Sequence, residues 1–354
     1  MGKDKKNKVL MSGNEAIAEG ALQAGCLFYA GYPITPQNEL IGYMSVHMFE
    51  RSGVFIQAES EIAAINMVYG ASAAGVRAMT SSSSPGISLK QEGISYIAGA
   101  ELPAVIVNIM RAGPGLGNIW PAQSDYFQAT RGGGNGEYRC IVLAPASVQE
   151  SFDLMFTSFD LADKYRIPVI VLGDGMLGQM MEPVNLRPNV PAQKFKKPWA
   201  LTGCRGRKPN IVKSFYMREG DLEKFNLKLQ EKYNKIKKEE QRLEELFLDD
   251  ASIILVAYGS MSRIAKAAVK SLRNKGKKVG LIRPISLWPF PVEVFKRLSA
   301  GKKKRTFLAV EMSYGQMVED VMLSAGKYSR VEFLGKSGGG IPTEEDIISK
   351  VAGL

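Results

Sequence analysis

Apolar runs of four to eight residues alternate with helix-patterned stretches along most of this 354-residue chain, and that alternation limits the folds open to it. The runs lie at 26–30, 54–57, 77–81, 103–110, 140–143 and 168–172, with helical patterns at 14–24, 60–74, 88–100 and 148–164. Strands joined through helices need right-handed crossovers, which bury a mostly parallel sheet on both faces. A second unit of the same kind opens at 252–259, with a helix at 262–275 and strands at 279–282, 306–310 and 331–334. Between them, 184–218 is Pro-rich and basic with little periodicity, so it reads as an irregular connector. Residues 219–248 read as one charged surface helix or helical hairpin whose apolar stripe includes Leu222, Phe225, Leu229, Tyr233 and Ile236. The chain is about twice the usual domain length. The expected organisation is an α/β domain over 9–184, a basic connector and charged helix over 185–250, and a smaller α/β domain over 251–354.

The net charge of +11 suggests nucleic acid until it is divided along the chain. Residues 9–190 hold 9 Lys/Arg against 16 Asp/Glu, a net −7, whereas 191–354 hold 33 against 18, a net +15. The basic half carries no recognisable nucleic-acid module, and its lysines are interleaved with glutamates, as on a solvated or protein-facing surface. The longest apolar runs fall far short of the roughly 20 residues of a membrane-spanning helix. The basic N-terminus turns polar at Ser12 without the apolar core of a secretory signal. Cys26, Cys140 and Cys204 are isolated, with no spacing for zinc or an iron–sulfur cluster, and the single histidine, His47, builds no metal site. The expectation is a cytoplasmic protein with no metal site of its own and with neither nucleic acid nor membrane as partner.

Unusual residues gather where the first strands end, in the loops 32–36, 58–61, 81–86 and 111–117. The carboxyl edge of a parallel sheet is where such folds bind ligands. Arg111 can hold a planar carboxylate through two hydrogen bonds, and Gly113, Gly115 and Gly117 let a ligand approach the backbone. Glu61 opens the small-residue helix EIAAINMVYGASAAG, where a carboxylate also serves as an electrostatic cap. Glu59 competes with it, and periodicity does not choose between them. No P-loop, ordered dinucleotide fingerprint or nucleophile elbow occurs.

Taken together, GYPITPQ at 31–37, ESEIAAINM at 59–67, NIMRAGPGLGNIWPAQSDYF at 108–127, VLAPASVQE at 142–150 and PVIVLGDG at 168–175 resemble the α subunit of 2-oxoacid:ferredoxin oxidoreductases. The likeness resumes at VAYGS (256–260) and RPISLWPFP (283–291). It implies a parallel-sheet pyrimidine-binding thiamine diphosphate domain followed by a smaller α/β domain like the C-terminal domain of transketolase. It also implies oxidative decarboxylation of a 2-oxoacid to acyl-coenzyme A and carbon dioxide, with electrons passed to ferredoxin. The segment 173–175 resembles the start of a diphosphate and magnesium motif, but the asparagine that should follow is missing from 196–206, so it reads as a strand-end turn. Magnesium and the iron–sulfur clusters are then expected on partners: a β subunit sharing the cofactor, with γ and ferredoxin-like δ subunits beside it.

By motif position, the resemblance makes Glu61 the catalytic contact to the aminopyrimidine ring, with Pro33 and Ile34 also bordering the cofactor. Thr35 and Arg111 correspond to the residues that hold the substrate carboxylate. The run RAGPGLGNI at 111–119 is most similar to the branched-chain, 3-methyl-2-oxobutanoate members. The alternatives are a 2-oxoglutarate or other 2-oxoacid specificity, and a non-catalytic partner-binding scaffold on the same fold.

Overall fold

The computed structural model describes residues 8–187, 193, 195–301, 304–327 and 329–354. The first half runs β1 (Lys8–Ser12), α1 (Gly13–Gln23), β2 (Phe28–Gly31), α2 (Asn38–His47), β3 (Val54–Gln57), α3 (Glu61–Ala73), β4 (Ala78–Ser82) and α4 (Ser84–Gly99). It continues through β5 (Ala104–Met110), α5 (Tyr126–Arg131), β6 (Ile141–Leu143), α6 (Val148–Tyr165), β7 (Pro168–Asp174), α7 (Gly175–Gln179) and β8 (Met181–Asn185). After α8 (Asp221–Glu239) and β9 (Leu243–Leu246) come β10 (Ile253–Val256), α9 (Met261–Asn274), β11 (Val279–Pro284), β12 (Ser286–Trp288) and α10 (Val292–Ser299). The chain closes with β13 (Thr306–Glu311), α11 (Met317–Ala325), β14 (Arg330–Gly335) and α12 (Glu344–Ala352).

A seven-stranded sheet in the order β12-β6-β7-β5-β4-β2-β3 organises the first half, parallel except at the β12 edge. Its central strand, β5, is buried along its whole length, which explains why AVIVNIM is almost continuously apolar rather than alternating. The second sheet, β14-β13-β10-β11-β9, is parallel except for β9. A two-stranded antiparallel ribbon joins β1 to β8.

Local chemistry sets the ends of the helices around the site. Ser12 caps α1 in a reciprocal capping box with Glu15, and Ser60 caps α3 by accepting from the Ala63 N–H at 3.1 Å. Gly20 lets α1 lie against the backbone of α6, because a Cβ there would stand 2.4 Å from Phe152 O.

Two departures from the sequence reading concern strands. The expected helix over 219–248 stops at Glu239, and Leu243–Leu246 pairs antiparallel with β11 instead. Glu240, which interrupts the apolar stripe, is buried at the end of the helix, accepting from Lys164 Nζ at 2.8 Å and Tyr165 Oη at 2.7 Å, so its side chain is anchored to α6 where the chain leaves the helix. Ser286–Trp288, within RPISLWPFP, leaves the second half to become the edge strand of the first sheet. None of the helices among the described residues is long and apolar enough to cross a membrane.

Candidate active site

Strands β3, β2, β4 and β5 are parallel neighbours, so their carboxyl ends bring three loops and the start of α4 to one edge; the expected loop over 81–86 is instead the end of β4 and the first turn of α4, joined by Ser83. The loop after β2 is tied down from outside the sheet: Asn14 Nδ2 donates to Pro36 O at 2.8 Å and to Glu39 Oε2 at 2.7 Å, and Gln179 Nε2 donates to Pro36 O at 3.1 Å. From beneath, Ser81 Oγ donates to Gln37 Oε1 at 2.6 Å and meets Tyr29 Oη at 2.5 Å. Pro33 is exposed at the tip, and Ile34 and Thr35 are half-buried.

Arg111 directly follows the central strand and is buried. Its Nη1 donates to Thr35 O at 3.0 Å and its Nη2 to Leu116 O at 3.1 Å, so the guanidinium ties the 32–36 loop to the glycine-rich loop. Nε is buried without a partner among the described residues. The Arg111 N–H donates to Ser84 Oγ at 3.0 Å, and that hydroxyl donates to Asp125 Oδ2 at 2.6 Å. Burial raises the Asp125 carboxyl above its ordinary range, with the Ser84 and Asn108 hydrogen bonds working the other way.

Glu61 is buried at the first turn of α3, whereas Glu59 is exposed two residues earlier. No hydrogen bond engages the Glu61 carboxylate among the described residues. Above it passes the first turn of α4, where Gly86 comes so close that a Cβ would stand 2.1 Å from Ser82 Oγ and 2.6 Å from Glu61 Oε1, and both side chains would have to move. The hydroxyls of Ser82 and Ser83 are buried here without partners among the described residues. A buried, undonated carboxylate beside unpartnered hydroxyls suits a heterocycle that presents N–H groups.

Sequence reasoning did not single out Lys90, whose side chain is fully buried. Its Nζ donates to Thr80 Oγ1 at 3.1 Å and to the Glu61 backbone O at 3.3 Å. Burial pulls the ammonium down to about 8, partly opposed by the Glu61 charge. The signal was available, since Ile87, Lys90, Ile94 and Ile97 follow one face of a helix.

Asp174 caps α7 by accepting from Met176 N–H and Leu177 N–H, each at 3.1 Å. Its other oxygen accepts from Ser260 Oγ in the second half at 2.6 Å. Burial raises its carboxyl above the ordinary range. The Gly173–Gly175 turn therefore ends the strand and anchors the two halves to each other.

A cleft of about 690 Å³ opens beside Thr35, walled by Pro36, Ile119, Trp120, Met176 and Ile341 among others. Glu61 and Arg111 do not line it, so the cleft adjoins the convergent loops without containing them.

Comparison with known proteins accords with this geometry. Residues 19–246 match the thiamine diphosphate-binding domain of the pyruvate flavodoxin/ferredoxin oxidoreductases, and residues 251–347 match core domain II of pyruvate:ferredoxin oxidoreductase. The chain is 52% identical to the ketoisovalerate oxidoreductase subunit VorB of Methanothermobacter marburgensis, over 97% of this chain and 96% of that one. It is 41% identical to the 2-oxoglutarate synthase subunit KorA of Archaeoglobus fulgidus, over 88% of this chain and 90% of that one. A solved 2-oxoglutarate:ferredoxin oxidoreductase from Magnetococcus marinus superposes with a TM-score of 0.89 at 27% identity, covering 99% of this chain, which spans 66% of that one. A split-gene transketolase, at 13% identity and a TM-score of 0.60, shares the fold. The parallel sheet, the elements converging at its carboxyl edge and these matches have one reading: the chain belongs to the pyruvate flavodoxin/ferredoxin oxidoreductase family.

Proposed function

We propose that this chain is the α subunit of a 2-oxoacid:ferredoxin oxidoreductase of the branched-chain type. The overall reaction would take a 2-oxoacid, coenzyme A and two oxidised ferredoxins to acyl-coenzyme A, carbon dioxide, a proton and two reduced ferredoxins. When bound, thiamine diphosphate supplies the carbon nucleophile and the electron sink for decarboxylation. The chain's own residues do the positioning. Glu61 would share a proton with a ring nitrogen of the aminopyrimidine, Pro33 and Ile34 would border that ring, and Arg111 and Thr35 would hold the substrate carboxylate.

The observation that carries this reading is the Glu61 carboxylate, buried, without a hydrogen-bond donor among the described residues and given room by Gly86. Support for a shared cofactor site comes from Asp174, whose oxygens are committed to the α7 cap and Ser260. A β subunit would then carry the diphosphate and magnesium, and partner subunits the iron–sulfur clusters. The branched-chain assignment rests on the 111–119 loop and on the ketoisovalerate oxidoreductase relative at 52% identity.

The test has two parts. The assembled complex should reduce ferredoxin with 3-methyl-2-oxobutanoate and coenzyme A at least tenfold more efficiently than with 2-oxoglutarate; the opposite preference would reassign the substrate. The isolated chain should bind thiamine diphosphate and magnesium weakly, and tight stoichiometric binding without a partner would overturn the shared site.

A further inference from the structure

Among the described residues Lys90 is the only lysine that is fully buried, and its position carries an inference that rests on the assignment of Glu61 to the cofactor. No carboxylate lies within ion-pair distance of its ammonium among the described residues. Two of its three N–H groups are engaged, by the Thr80 hydroxyl and the Glu61 carbonyl, and both acceptors are neutral. Burying a charge under these conditions costs stability, and an apolar side chain of equal length would avoid that cost. The position is otherwise suited to one, because α4 buries Ile87, Ile94 and Ile97 on the same face.

What the ammonium touches points to its use. The carbonyl it holds belongs to Glu61, so Lys90 fixes the backbone of the residue whose carboxylate lies under Gly86. Elements packed against α4 carry Glu61 and Tyr69 on α3 and Asp174 on β7, while β5 has no ionisable residue, and Tyr138 reaches α4 through Gln91. Of these, Glu61 is the group whose charge acts on the lysine. The attraction is mutual, so the same charge acts on the Glu61 carboxylate.

We propose that Lys90 is a positioning residue for Glu61, pinning the first turn of α3 through that residue's carbonyl and keeping a positive charge in its neighbourhood for the docking of a ring nitrogen. Lys90 does not reach the cofactor in this arrangement. Its effect passes through the backbone and the charge of Glu61.

The experiment compares Lys90→Met, Lys90→Gln and Lys90→Arg in the assembled complex, reading thiamine diphosphate affinity by titration across pH and thermal unfolding without added cofactor. Removing the positive charge should move the acid-side midpoint of the affinity profile upward by about one pH unit, the usual size of one such electrostatic influence. Lys90→Gln keeps a donor for Thr80 or Glu61 and should shift the midpoint as Lys90→Met does, whereas Lys90→Arg should restore it. The cofactor-free Lys90→Met complex should unfold at the same or a higher temperature. Unchanged midpoints in both neutral variants, or a midpoint shift that Lys90→Arg reproduces, would overturn the proposal. Glu61→Gln separates the two levels of the argument. If the wild-type midpoint persists in that variant, the assignment of Glu61 to the cofactor is what fails; if it disappears there while Lys90→Met leaves it in place, only the role of Lys90 fails.

Discussion

Gly86 and Glu61 are in such close approach that a Cβ added to the glycine would stand 2.6 Å from the carboxylate oxygen Oε1. The contact joins the starts of two helices, α3 and α4, that rise from neighbouring parts of one sheet edge. It makes a glycine the condition for an uncovered carboxylate. Gly86→Ala should therefore displace Glu61 and Ser82, destabilise the fold by about 1–3 kcal/mol as overpacking does, and weaken thiamine diphosphate binding at least tenfold. Calorimetric unfolding and cofactor titration on the same preparation check both effects, and normal affinity would show that the carboxylate does not need its position.

Burial separates the two glutamates that periodicity left equivalent and that only motif position had ranked. Glu61→Gln keeps the shape of the side chain but has no acidic proton to share, so turnover should fall by about two orders of magnitude or more. Glu59→Gln, at an exposed position, should change turnover less than threefold. Steady-state rates of the two variant complexes decide, and the reverse ranking would reassign the role.

Arg111 has a structural duty beside its expected one, because its Nη atoms hold Thr35 O and Leu116 O. Lysine preserves the charge but not the planar fork, so Arg111→Lys releases one loop and loses two-point hold on a carboxylate. The specificity constant should fall about tenfold to 150-fold, or roughly 1.5–3 kcal/mol, with thiamine diphosphate content unchanged. Unchanged kinetics on every 2-oxoacid tried would confine Arg111 to loop packing.

Asp174 offers a stability test that is independent of catalysis. Asp174→Ala removes the α7 cap and strands the Ser260 hydroxyl, for a cost of about 2–4 kcal/mol. Asp174→Asn keeps a capping oxygen, and Ser260 can turn to accept, so the loss should stay within about 1 kcal/mol. Burial raises the Asp174 carboxyl above its ordinary 3.8, so the folded state holds this proton more tightly than the unfolded state. Its contribution is full below 3.8 and is lost as pH rises through the higher folded value. The stability of the wild type relative to Asp174→Asn should therefore decline with rising pH across that window, as measured by denaturant titration at several pH values.

Much of this protein was determined by local sequence. The alternation of apolar runs and helical patterns specified a parallel, covered sheet, and Ser12 and Ser60 marked helix starts through caps that need only neighbouring residues. The GYPITPQ and RAGPGLGNI loops were legible because proline and glycine restrict or free the backbone wherever they stand. Tertiary structure alone decided the rest. Leu243–Leu246 pairs with β11, and Ser286–Trp288 joins β6 about 140 residues earlier in the chain, because short edge strands are defined by the partner they find rather than by their own periodicity. The burial of Glu61 beside an exposed Glu59, the closeness of Gly86, and the placement of Lys90 against the Glu61 carbonyl all arise where α3 and α4 pack together. Two side chains from separate helices acquire a common electrostatic environment only after the sheet has brought those helices side by side.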